Sequence, residues 1–118
     1  MIESLANGGR GVSRIDGYVV FVDRALPGDR VRIRLRSARR RHGEADVVEL
    51  LEPGADRVEP TCPHVGVCGG CRWQTYAYPA QLVEKAQLVR DAIGRIAHLP
   101  DVPVEPIVGA EDNLEYRN

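Results

Sequence analysis

The three cysteines of the chain lie within ten residues, in the pattern Cys62-x5-Cys68-Gly69-Gly70-Cys71. Thiolates at this spacing can converge on one soft metal centre, because the two glycines let the backbone fold tightly between the second and third cysteine. The segment therefore predicts a metal or cluster site at Cys62, Cys68 and Cys71, with the three sulfur atoms turned toward a common point. An odd number of crowded cysteines also fits a reducing compartment better than a disulfide scaffold.

Other interpretations of the cysteine segment stay open at this point. Three buried cysteines without any metal would be the simplest, but free cysteines seldom gather around a Gly-Gly turn. A zinc site would take His64 or His98 as its fourth ligand. His64 lies only two residues from Cys62, so both could bind one ion only in a strained loop. An iron–sulfur cluster is favoured over the other two.

A second candidate site is a stretch of arginines. Residues 30–41 hold seven Arg and no acidic residue. In strand geometry Val31, Ile33 and Leu35 point to one face and the alternating arginines to the other. Like charges on one strand face repel each other, so a polyanion that neutralises them makes the arrangement easier to tolerate. A solvated strand face is the alternative.

The arginine guanidinium makes bidentate hydrogen bonds to phosphates and stacks on bases, and both interactions suit single-stranded RNA. We therefore expect this face to bind RNA, and we do not expect DNA as a partner. The candidate RNA-binding residues are Arg10, Arg14, Arg30, Arg32, Arg34 and Arg36.

Charge and composition limit the remaining possibilities. The formal net charge is −1, but residues 1–52 carry ten Arg against eight Asp or Glu, whereas residues 53–118 carry six basic and nine acidic residues. No apolar run is long enough to cross a bilayer, so a cytoplasmic protein without a membrane partner is expected. There is no phosphate-binding loop of Walker or Rossmann type and no nucleophile–base pair, so no catalytic residue is predicted.

The elements that must position these residues come in the order barrel, loop, helix. Residues 1–52 read as short strands cut by turns at Asp16-Gly17 and Pro27-Gly28, which predicts a small, OB-like antiparallel β-barrel and a mainly β fold. Residues 53–78 predict a linker and the cysteine-rich loop. Residues 79–118 predict one amphipathic helix, starting at Pro79, and the start of a truncated central domain.

Together these residues resemble a known family. The segment from Leu5 to Val12, with Val19 to Val22 and Ala25 to Val31, is similar to the TRAM domain of RNA-modifying enzymes. The cysteine motif, followed by Trp73-Gln74 and a helix, resembles the iron–sulfur segment of bacterial RNA (uracil-5-)-methyltransferases, most nearly those acting on 23S ribosomal RNA. The terminal residues 116–118 resemble the start of that family's central domain.

The resemblance implies a 4Fe-4S cluster held by Cys62, Cys68, Cys71 and a fourth cysteine, and a TRAM barrel that grips RNA, expected to be ribosomal. This chain has no fourth cysteine. In the family, S-adenosylmethionine and the catalytic cysteine belong to a C-terminal domain that has no counterpart here. The chain is therefore expected to be a truncated product or a fragment that transfers no methyl group alone.

Two functions of another class are also compatible with the sequence. One is a stand-alone TRAM-type RNA-binding adaptor or chaperone. The other is a small zinc-binding interaction module, in which the Arg strand is only solvated.

Overall fold

A computed structural model describes residues 1–114 of the chain. It contains five strands, a helix and a π-helical extension of that helix: β1 Ser4–Leu5, β2 Gly11–Ile15, β3 Tyr18–Asp23, β4 Arg30–Ala38, β5 His42–Glu52, α1 Tyr78–Asp91 and the π-helical turn Ala92–Ile96. The chain divides between Ala77 and Tyr78 into two compact units. The cysteine segment thus belongs to the same unit as the strands. The resemblance noted at residues 116–118 lies outside the described residues.

The strands form one sheet in the order β1-β2-β3-β5-β4. The predicted mainly β fold is confirmed, although the sheet is not closed and one of its pairings is parallel rather than antiparallel. β5 runs parallel to β3, pairing Val19 with His42, and antiparallel to β4. After β3 the chain crosses to the far edge of the sheet before β4 begins. β5 then fills the gap between β3 and β4, and this placement makes it parallel to β3.

The two edges of the sheet are linked near the start of the chain, although no strand ladder closes it. Ile2 donates its N–H to the carbonyl of Asp29 at 2.9 Å and accepts the N–H of Gly28 at 2.9 Å. These bonds tie the segment before β1 to the segment before β4. The core inside this curved sheet consists of small and β-branched side chains, namely Ile2, Val20, Val22, Ala25 and Ala45.

Strand β4 follows its predicted alternation over most of its length. Val31 and Ile33 pack against the core, and the arginines of the strand are exposed. The prediction for Leu35 is wrong, because 55% of this residue is exposed. Leu35 lies next to a register shift, and its neighbours on β5 are the small residues Gly43 and Ala45. Too little apolar surface surrounds it to cover the side chain.

Both predicted tight turns are present. Asp16 and Gly17 both have positive φ, 50° and 81°, as the turn between β2 and β3 requires. Gly28 has φ 85°, and the Asp29 N–H bonds to the Leu26 carbonyl at 3.0 Å. These turns set the register that brings β2, β3 and the start of β4 together.

The predicted helix forms from Tyr78, with Pro79 in its first turn. Its apolar side is only thinly covered: Ala86 is its one buried residue among those described, while Val89 and Ile96 are 41% and 75% exposed. After α1 the backbone hydrogen bonding changes to the π-helical pattern of Ala92–Ile96. The helix ends before His98, which has a φ of 56°. No helix among residues 1–114 combines the length and apolar character that a membrane crossing needs.

Candidate nucleic-acid interface and cysteine segment

A buried ion pair anchors the segment that leads to the cysteines. The Asp29 carboxylate is fully buried and accepts the N–H groups of Leu26 at 2.7 Å and Gly54 at 2.9 Å. Arg57 completes the arrangement, donating Nε to Oδ1 at 3.0 Å and Nη2 to Oδ2 at 2.6 Å. Burial alone would raise the pKa of Asp29, but the bonds from Arg57, Gly54 and Leu26 together lower it. Asp29 therefore stays ionised and holds residues 54–57 on the sheet.

Two further contacts place the cysteine segment against the barrel. Trp73 donates its indole N–H to the Gly9 carbonyl at 3.3 Å, and Arg24 donates to the Gly66 carbonyl. Tyr76, at 4% exposure, is buried at the end of the segment. These contacts make the loop an integral part of the first unit.

The three cysteines are free thiols; Cys68 and Cys71 are exposed and Cys62 is partly buried. The Gly70 N–H donates to the Cys68 sulfur at 3.4 Å, and the Cys62 N–H donates to the Gln74 side-chain oxygen at 2.9 Å. An N–H bond to sulfur stabilises negative charge on that sulfur, as a metal-bound thiolate requires. The donor set thus has the chemistry of a sulfur-ligated centre.

The arrangement of the donors is a separate question. Within residues 1–114, no three His, Cys, Asp or Glu side chains are placed to hold one metal ion. No site for a single ion that adds His64 or His98 is found among these residues, and the prediction that the three sulfur atoms turn toward a common cluster stays a prediction. In a 4Fe-4S cluster each cysteine binds a different iron atom, so single-ion geometry does not test that assignment.

A cavity of about 600 Å³ lies in this unit, between the outward side of the sheet and the cysteine loop. Cys68 and Cys71 line it from the loop, and Arg36 and Asp46 line it from the strands. Arg72 also lines the cavity, at 3.7 Å from a carboxylate oxygen of Asp23. The cavity brings sulfur and guanidinium groups into one space, which sequence spacing alone did not indicate.

The predicted RNA-binding arginines lie on the surface, but most of them are paired with carboxylates. Arg30 bonds to Glu52 at 2.8 Å, and Arg32 bonds to Glu49. The sequence argument that no acid compensates these charges is therefore wrong. The acids come from β5, which lies beside β4 in the sheet although it follows it in the sequence.

The other predicted arginines behave in the same way, with one exception. Arg14 bonds to Glu3 at 2.7 Å and Arg10 to Glu44 at 3.1 Å. Arg34 has no ion pair within the described part of the chain. Arg36 bridges Asp23, Glu44 and Asp46 at 3.1 to 3.6 Å.

These pairs shift the pKa values of their members. The pKa of Glu44 is lowered mainly by its hydrogen bond from Arg10, and the pKa of Arg36 is raised mainly by the charge of Asp46.

Five arginines besides the six candidates also lack an ion pair within residues 1–114, namely Arg24, Arg39, Arg40, Arg41 and Arg90. Arg39, Arg40 and Arg41 are all exposed and form the turn between β4 and β5. The sequence showed these three as an extension of the arginine strand, and the structure places them in the turn that follows it. They form the densest group of unpaired positive charge that the structure describes.

The curved five-stranded sheet and its basic outer surface define a small β domain of the kind that binds nucleic acid. Residues 1–48 match the TRAM domain family, and a TRAM domain implies RNA binding. Residues 1–48 are thus similar to TRAM domains.

Relatives extend the similarity past the TRAM domain. An uncharacterized RNA methyltransferase of Thermosynechococcus vestitus is 45% identical over 117 residues, which cover 99% of this chain and 26% of the relative. Proteins of the same description from Nitratidesulfovibrio vulgaris and Halalkalibacterium halodurans are 42% and 38% identical, again over 99% of this chain. The chain is thus homologous along nearly its whole length to proteins named as RNA methyltransferases, and it spans about a quarter of their length.

Proposed function

We propose that this chain is the RNA-binding and cluster-binding N-terminal portion of an RNA (uracil-5-)-methyltransferase that uses S-adenosylmethionine and acts on ribosomal RNA in the cytoplasm. The observation that carries the proposal is the pairing of a TRAM domain with homology to proteins named as RNA methyltransferases. The role of the chain in this proposal is recognition of RNA. The methyl donor and the catalytic groups belong to the rest of such an enzyme.

The basic outer surface of the sheet supports the RNA-binding part of the proposal. Arg34, at the middle of β4 and flanked by Arg32 and Arg36, forms no ion pair within residues 1–114. The other candidate arginines are exposed or half-buried but paired, so a phosphate has to displace a carboxylate before it can bind them.

The cysteine segment supports the cluster-binding part. Cys62, Cys68 and Cys71 would hold a 4Fe-4S cluster, and its fourth ligand would come from outside this chain. The exposed Cys68 and Cys71 sulfurs and the Gly70 N–H bond suit such a group. When bound, the cluster would cross-link a loop that Arg24 and Trp73 already hold against the sheet.

Two measurements on the purified chain test the two parts separately. For RNA, titration of a labelled single-stranded oligouridylate should show binding that weakens with salt, and no binding in low salt would remove the RNA-binding part. For the cluster, anaerobic reconstitution followed by iron and sulfide counting should give more than two irons per chain. Two or fewer irons per chain, or preferential zinc uptake, would contradict the assignment of a 4Fe-4S cluster.

A further inference from the structure

The structure separates the seven arginines of residues 30–41 into paired and unpaired ones. Arg30, Arg32 and Arg36 on strand β4 are held by carboxylates of neighbouring strands. Arg34 on the same strand and the group Arg39, Arg40 and Arg41, which we call the turn arginines, have no ion pair within residues 1–114. Asp16, in the neighbouring β2–β3 turn, does not pair with them in this part of the chain either. The turn therefore offers an incoming phosphate three adjacent positive charges with no carboxylate to displace first.

The backbone holds this turn in place. The Arg39 N–H donates to the His42 carbonyl at 2.9 Å, which closes the hairpin directly beneath Arg40 and Arg41. The hydroxyl of Tyr18 donates to the Arg39 carbonyl at 2.8 Å. Tyr18 itself packs against the core, so the turn is tied to the interior of the barrel. The side chains of the three turn arginines are exposed.

A partly exposed aromatic group adjoins the turn on the outer face of the sheet. The register pairs Val19 with His42, and the rings of His42 and Phe21 meet edge to face with centroids 5.7 Å apart. The Arg10 guanidinium lies over the Phe21 ring, 4.9 Å from its centroid. Glu44 holds Arg10 in this position through its 3.1 Å ion pair. A planar guanidinium fixed in this way offers its outer side to a stacked base.

We infer that the turn arginines are the main phosphate contacts of this domain, and that Arg10 and His42 form the adjoining surface on which an unpaired base stacks. The inference rests on the proposed RNA-binding function and identifies its ligand as single-stranded RNA. Phosphates alone would be satisfied by a duplex, but flat stacking groups beside a cationic turn require bases that are exposed. The paired arginines of β4 then contribute little to binding.

The test compares two variants that remove the same charge. Arg40→Gln/Arg41→Gln removes two turn arginines, and Arg30→Gln/Arg32→Gln removes two paired strand arginines. Fluorescence anisotropy with a labelled single-stranded oligouridylate is measured over a series of salt concentrations. The turn variant should lose about tenfold in affinity, and its slope of log K against log salt should fall by about 1.4, or 0.7 for each lost phosphate contact on a single strand. The strand variant should keep the wild-type slope.

A third variant tests the stacking surface. Arg10→Lys keeps the charge and the partner Glu44 but removes the planar group, so affinity should fall while the salt slope stays unchanged. If the wild type binds and the turn variant keeps its slope, the inference is wrong while the proposed function stands. Tighter binding to duplex RNA than to the single strand would also overturn it. If the wild type binds no RNA, the proposed function itself fails.

Discussion

Gly9 and Trp73 are 64 residues apart in the sequence and in direct contact in the structure, where the indole N–H bonds to the Gly9 carbonyl. A Cβ atom added to Gly9 would lie 2.6 Å from the indole nitrogen. This close approach explains why the loop before β2 has a glycine at position 9. It also makes Trp73, the single Trp of the chain, a reporter on how the cysteine segment sits on the barrel.

Gly9→Ala should therefore loosen the cysteine segment, and Gly8→Ala is the matched control. Both glycines have positive φ, 79° and 85°, so each substitution costs about 1 kcal/mol in backbone strain. Only Gly9 meets the indole, since nothing lies within 4 Å of a Cβ on Gly8. The clash should cost about 1 to 3 kcal/mol more and shift Trp73 fluorescence to the red. Equal unfolding free energies and spectra for the two variants would contradict the contact.

The Asp29–Arg57 pair gives a prediction on stability. Asp29→Asn removes the charge and leaves Arg57 without its partner, so the free energy of unfolding at neutral pH should fall by about 2 to 4 kcal/mol. Glu59→Gln, at an exposed position that forms no ion pair in the described residues, should change little. Urea unfolding of the three proteins measures both effects.

The same pair predicts how stability depends on pH. The folded state lowers the pKa of Asp29 below its ordinary value of 3.8, so its contribution is complete above that pH and is lost as the pH falls through the lowered value. The stability difference between wild type and Asp29→Asn should be constant from neutral pH down to about 4 and shrink below it. A difference that already declines between pH 7 and 5 would assign the effect to another group.

Cysteine substitutions separate cluster binding from folding. Cys68 and Cys71 are exposed, so Cys68→Ser and Cys71→Ser should change the unfolding free energy of the metal-free protein by no more than about 0.5 kcal/mol. Each should lower the iron bound after anaerobic reconstitution, because a thiolate ligand is lost. Ser13→Ala provides a contrast: its hydroxyl bonds to the Met1 carbonyl at 2.9 Å, and its loss should affect stability but not iron content. Full iron binding by both cysteine variants would exclude these residues as ligands.

Local patterns predicted much of the barrel. The alternation from Arg30 to Arg34 and the turns at Asp16-Gly17 and Pro27-Gly28 are set by neighbouring residues, and they are present in the structure. Strand β2 was not predicted, because Gly11 to Ile15 has little periodicity of its own. The parallel pairing of β3 with β5 was also missed, since it depends on where the chain crosses and not on any single segment.

The candidate site was also hard to predict, because its ion pairs join segments that are distant in the sequence. The run of seven arginines without an acid looked uncompensated, yet Glu49 and Glu52 reach back from β5 to neutralise two of them. Only the folded register shows that Arg34 and the turn arginines form no ion pair within residues 1–114. The Asp29–Arg57 pair, which crosses 28 residues of sequence, left no local signal either.

RNA binding by this domain is most directly tested by its affinity for one single-stranded oligouridylate and for the DNA strand of corresponding sequence, each measured at several salt concentrations. We expect the chain to bind the RNA more tightly than the DNA, and log K for RNA to fall linearly with log salt as counterions are released. Failure to bind RNA at low salt, or an RNA affinity independent of salt, would contradict this expectation.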